Sequence, residues 1–80
     1  MLVDVIEVKP LGAYKLYLRF KDGTSGEVDI STVVPFEGVF AQLSDKDFFS
    51  RVKINSESGT ICWENGADIS PCVLYDAIKK

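Results

Sequence analysis

Eighty residues, 46% of them hydrophobic and 26% charged, describe one ordinary globular domain, because a second would have too little apolar area to close its own core. A formal net charge of −3, with lysines and arginines scattered among acids and apolar residues, repels phosphate backbones and disfavours direct nucleic-acid binding by this domain alone, while allowing a basic protein partner. No apolar run approaches the ~20 residues that span a bilayer, no basic segment precedes Leu2, and two cysteines in a chain without histidine form no metal or redox pattern, so the expectation is a reduced, cytoplasmic protein with no membrane segment and no cofactor.

Residues 2–9 are rich in aliphatic and β-branched types and end at Pro10, which cannot donate to a sheet ladder; they predict a first strand. From Ala13 to Phe20 the alternation is cleaner. Tyr14, Leu16, Leu18 and Phe20 fall on one face and Lys15, Tyr17, Arg19 and Lys21 on the other, which makes Tyr17 an exposed strand aromatic. Leu11-Gly12 and Lys21-Asp22-Gly23-Thr24 supply turns, and residues 27–30 resume alternation with Val28 and Ile30 inward, completing a three-strand antiparallel meander.

The period changes between Ser31 and Arg51. Val39, Phe40 and Leu43 are spaced for a helix, and Ser44 with Asp47 three residues on reads as an N-cap variant introducing Phe48 and Phe49. Pro35 and Gly38 interrupt the segment, so two short helical turns are expected. Residues 52–55 and 60–63 alternate around Ser56-Glu57-Ser58-Gly59 and predict a second hairpin.

The run from Trp63 to Tyr75 is the most specific stretch. Asn65-Gly66 turns the chain, Ser70 is an N-cap, Pro71 suits the first helical position, and Pro71, Leu74, Tyr75 and Ile78 form a helical apolar stripe, with Lys79 and Lys80 at the helix's negative end. The sum is an α+β domain over residues 1–80: a small two-layer fold with an antiparallel sheet, a three-strand meander plus a second hairpin, packed against short helices and a C-terminal helix.

Candidate chemistry is sparse. Asp68, near a helix start with Glu64 and Asn65, could hold a ligand or a partner's basic side chain, but an acceptor for backbone N–H groups in the loop or cap explains it more simply. Cys72, second in the last helix, sits where the helix dipole lowers a thiol's pKa, yet with no histidine as base it reads as a small, partly buried residue, and Cys62 as an inert strand residue. Asp45, Asp47, Glu57, Glu64, Asp68 and Asp76 match no calcium-loop or catalytic spacing, and no nucleophile elbow or phosphate loop is present. No catalytic or metal residues are assigned. The nine aromatics are mostly core, and Tyr17 marks a docking face or a cross-strand pair.

Gly38, Leu43-Ser44-Asp45, Phe48 or Phe49, Val52, Trp63, Asn65-Gly66-Ala67-Asp68-Ile69, Pro71 and Leu74-Tyr75, in that order, resemble the bacterial Domain of Unknown Function family 2442 over nearly the whole chain. The resemblance implies strands first, a short helical middle, two more strands and a terminal helix, with no established enzymatic activity. Some members resemble the N-terminal part of helix-turn-helix proteins, an extension with no counterpart in residues 1–80; others resemble one half of a toxin–antitoxin pair, encoded beside a second small protein. Cys72 departs from the family pattern, where an acid is common. The expectation is therefore a non-enzymatic protein-interaction domain, antitoxin-like, whose partner is a small basic protein encoded nearby. The alternatives are a transcription regulator binding DNA with a partner, and a small-molecule binder using the acids near Asp68. Tyr17, Trp63, Asn65, Gly66, Asp68, Pro71 and Tyr75 are the candidate interaction or family-signature residues.

Overall fold

Alternation in the first thirty residues becomes a three-stranded antiparallel sheet, β1 (Val5–Pro10), β2 (Lys15–Phe20) and β3 (Ser25–Asp29), in the order β1-β2-β3. The computed structural model describes residues 3–79, excluding the Lys79 side chain; the expectations placed on Leu2, on the Lys79 side chain and on Lys80 lie outside the described residues. Leu16, Leu18, Phe20 and Val28 share the buried face, as their period of two requires.

The boundaries move for local reasons. A register shift between Val5 and Glu7 marks a bulge in β1, and that strand begins at Val5, not near residue 2. Ala13 and Tyr14 have positive φ, 56° and 66°, so they form the β1–β2 turn and β2 starts at Lys15, two residues later than alternation predicts. Ile30 leaves β3 because Asp29 caps a helix there, its carboxylate accepting the Ser31 N–H at 3.0 Å.

The middle segment holds three short helices where two turns were expected: α1 (Ile30–Val33), a 3₁₀ helix (Gly38–Ser44) and α2 (Lys46–Phe49). The cap of α2 is Asp45 and not Ser44. The Asp45 carboxylate accepts the Asp47 N–H at 3.0 Å, while the Ser44 hydroxyl donates to the Ala41 carbonyl at 2.9 Å and closes the preceding helix.

A second antiparallel sheet, in the order β4-β5-β6, contains β4 (Lys53–Asn55), β5 (Thr60–Cys62) and β6 (Asp68–Ile69). The hairpin β4–β5 matches its prediction within a residue. Strand β6 was not foreseen, since two residues are too few to show alternation; it forms because the turn after β5 folds back, with the Trp63 N–H on the Ala67 carbonyl at 2.9 Å. The last helix, α3 (Pro71–Lys79), starts where expected, and the Ser70 hydroxyl accepts the Cys72 N–H at 3.2 Å.

One core joins both sheets and the helices. Leu16, Leu18, Phe20, Ile30, Leu43, Ile61, Trp63 and Leu74 are its largest fully buried side chains, and each aliphatic among them stabilises the fold by roughly 1.5–3 kcal/mol. The sheets meet at β1, where the Val5 N–H donates to the Gly59 carbonyl at 2.9 Å. The protein is α+β, as its pattern predicts.

Candidate interaction surface

The signature residues from Trp63 to Gly66 build a turn and anchor it. Trp63 is buried, stacks at a tilt on Phe49 with ring centroids 5.9 Å apart, and donates from Nε1 to the Phe49 carbonyl at 3.0 Å. Gly66 takes φ +92°, a conformation side chains resist, and its N–H donates to the Trp63 carbonyl at 3.1 Å. Asn65 is the keystone of the turn. Its Oδ1 accepts the Ala67 N–H at 3.0 Å, and its Nδ2 donates to the Val39 carbonyl and to Gln42 Oε1, both at 2.9 Å, so the turn is fastened to the 3₁₀ helix. Asp68 is exposed on β6 opposite Cys62 and caps no turn or helix among the described residues; the turn acceptor is Asn65 and the helix cap is Ser70.

Pro71 and Tyr75 belong to the α3 side. Pro71 is buried at the first helical position. The Tyr75 ring packs edge-on against Phe20 at 5.0 Å, and its hydroxyl donates to Asp22 Oδ2 at 2.7 Å and lies 3.3 Å from Thr24 Oγ1. Tyr17 stands apart on the outer face of the first sheet, between Lys9 of β1 and Glu27 of β3. It is half-buried, not exposed as predicted, because its cross-strand neighbours cover it. The seven signature residues therefore do not converge on one site.

A different set does converge. Strand β3, α1 and α3 enclose an open groove of about 470 Å³ whose lining includes Glu27 and Asp29, Val33, and Val73, Asp76 and Ala77. Val73 is 43% exposed, which leaves an apolar patch among carboxylates. The ion pairs among the described residues join Glu7 to Arg19 at 2.9 Å and to Lys9 at 3.5 Å; Glu27, Asp29 and Asp76 take part in neither. The side-chain hydrogen bond from Arg19 holds the Glu7 carboxyl below the ordinary glutamate range, against an opposing effect of desolvation and with the charges of Arg19 and Lys9 adding to the lowering. No group of three or more metal-ligating side chains occurs among the described residues, so the groove acids are spread along a surface and not gathered on a point.

The family model for a protein of unknown function, DUF2442, matches residues 5–80. The chain belongs to the DUF2442 family. No curated protein and no solved structure matches it.

Within this DUF2442 chain, sequence reasoning singled out Asp76 among six acids but passed over Glu27, Asp29, Val33 and Val73. A signal was available. The last strand of a meander is an edge, and β3 carries acids at alternate positions, while Val73, Asp76 and Ala77 are spaced i, i+3, i+4 on the flank of the core stripe of α3. Cys72 is exposed and not partly buried, because its position on α3 falls outside that core stripe; Cys62 is half-buried on β5. No helix among the described residues is long and apolar enough to cross a membrane.

Proposed function

We propose that this DUF2442 protein is a non-enzymatic protein–protein interaction domain, antitoxin-like, which covers a basic surface of a small partner protein encoded nearby. The groove between β3, α1 and α3 carries this reading: three carboxylates without an ion-pair partner among the described residues frame Val33, Val73 and Ala77. Such a surface fits lysine or arginine side chains, whose aliphatic stems cover the apolar floor while their charged heads reach the acids. The net charge of −3 adds a general attraction for a basic partner and opposes direct contact with a phosphate backbone. Asp68, on which a small-molecule reading rests, does not line the groove.

The test is recovery of an affinity-tagged copy expressed at native level from its own host. A stoichiometric basic protein, lost on Asp76→Lys substitution, is the expected result. Recovery of the chain alone, or of a partner indifferent to Asp76→Lys, would remove the reading.

A further inference from the structure

We infer that the partner enters the groove as an extended basic segment that adds a fourth strand along the free edge of β3, an inference that rests on the interaction reading above. The hydrogen-bond phase of the first sheet decides which backbone groups of β3 face outward. Phe20 donates from its N–H to the Thr24 carbonyl at 2.7 Å, and Ile30 donates to the Tyr14 carbonyl at 3.0 Å. In an antiparallel ladder, bonded and non-bonded pairs alternate, so Leu16–Val28 and Leu18–Gly26 are the bonded pairs between these ends. Ser25, Glu27 and Asp29 then direct their backbone groups away from β2. The Asp29 carbonyl accepts the Thr32 hydroxyl at 2.8 Å, which leaves the Ser25 and Glu27 N–H and C=O groups and the Asp29 N–H along the edge.

That edge differs from its counterpart. β1 carries a bulge between Val5 and Glu7 and ends at Pro10, both of which obstruct strand addition. β3 has a regular register and no proline. Its free side opens directly onto the groove, so a strand laid there continues the sheet and meets side-chain contacts on both faces. Glu27 and Asp29 stand on the outer face with Tyr17, while Val28 is buried on the inner one. A fourth strand therefore places one set of alternate side chains over Val33, Val73 and Ala77 and the other set beside Glu27 and Asp29. Charge complementarity selects the occupant: an extended segment alternating small apolar residues with lysine or arginine. A second copy of the same chain would set Glu27 and Asp29 against their own kind, which costs free energy.

The experiment titrates the full-length, ¹⁵N-labelled chain with a capped synthetic peptide of about eight residues alternating lysine and valine, long enough to span β3. The controls are the same peptide N-methylated at every second amide, in both phases, and a peptide alternating glutamate and valine. Expected is binding of the lysine peptide with amide exchange at Ser25, Glu27 and Asp29 slowed about tenfold or more, loss of binding in one N-methylated phase, and none by the glutamate peptide. Glu27→Pro removes the outward N–H without breaking a bond to β2 and should weaken binding about fivefold or more. Should that variant unfold, the two N-methylated phases ask the same question from the peptide side. No binding of the lysine peptide overturns the inference, as does equal binding by both N-methylated phases or unchanged exchange at those amides. Protection of the β3 amides that grows with concentration of the chain alone, with dimers in sedimentation, assigns the edge to a second copy and also overturns it. A co-purified partner that leaves Ser25 and Glu27 unprotected would sink strand addition and leave the interaction reading standing.

Discussion

The Tyr75 hydroxyl donates to Asp22 Oδ2 at 2.7 Å, across a separation of 53 residues, and so ties α3 to the turn between β2 and β3. The same turn is held internally by the Thr24 N–H on Asp22 Oδ1 at 2.9 Å. One carboxylate therefore sets both the shape of the hairpin and the seat of the helix that floors the groove.

Tyr75→Phe should destabilise the fold by about 1–2 kcal/mol, the contribution of a hydrogen bond to a charged acceptor on a partly exposed site. The ring contact with Phe20 survives that change. Tyr75→Ala should cost about 2 kcal/mol more through lost packing. Urea denaturation of both variants checks the order; equal stability of Tyr75→Phe and the parent would show that the clamp contributes nothing.

Trp63→Phe removes the Nε1–H bond to the Phe49 carbonyl and leaves a void in the core. That carbonyl keeps a second donor, the Val52 N–H at 3.3 Å, so the loss is chiefly one of packing. A destabilisation of about 2–4 kcal/mol is expected, visible as a lower denaturation midpoint with an unchanged m value.

Gly26 is needed for the approach of α3 to β3. A Cβ there would stand 2.8 Å from Ile78 Cγ2, closer than packed atoms come. Gly26→Ala should cost about 1–3 kcal/mol. Ile78→Ala, which removes the obstructing group, should make the double variant more stable than the sum of the two single losses by about 1 kcal/mol. Simple additivity would place the cost of the alanine elsewhere.

Glu7 links stability to pH. Because the Arg19 hydrogen bond depresses its folded pKa below the unfolded value, the folded state binds this proton less readily than the unfolded one. Its stabilising contribution is present above the ordinary glutamate range and is lost as pH falls through the depressed value. The stability gap between the parent and Glu7→Gln should therefore shrink on acidification below that range, and at neutral pH it should narrow in about 0.5 M salt, since the pair is partly exposed. A gap that widens on acidification would contradict the assignment.

Where a single physical signal dominated, sequence and structure agree. Leu16, Leu18 and Phe20 are buried because alternation admits no other placement, and α3 begins at Pro71 because Ser70 and Pro71 favour a helix start by separate mechanisms. The middle segment was less legible. Ser44 and Asp45 are both good caps, and the contest is settled by Ser44 serving the preceding 3₁₀ helix, a context that local propensity does not contain. The reach of Asn65 to Val39 and Gln42 was hidden for a related reason: a turn asparagine advertises its own turn and not a distant carbonyl. The groove was the least visible feature, because its acids and apolar residues come from three elements and look like ordinary surface on each.

The groove's division between residues 27–33 and 73–77 has a thermodynamic consequence. Neither segment alone presents the surface, so whatever occupies it binds the folded chain and not the unfolded one. Occupancy at a hundred times the dissociation constant would add about 2.7 kcal/mol to folding. For a chain this small that is a large fraction of the whole, and under the proposed interaction it would make survival against proteolysis follow the supply of the partner. An unaccompanied copy would be the one that is degraded first.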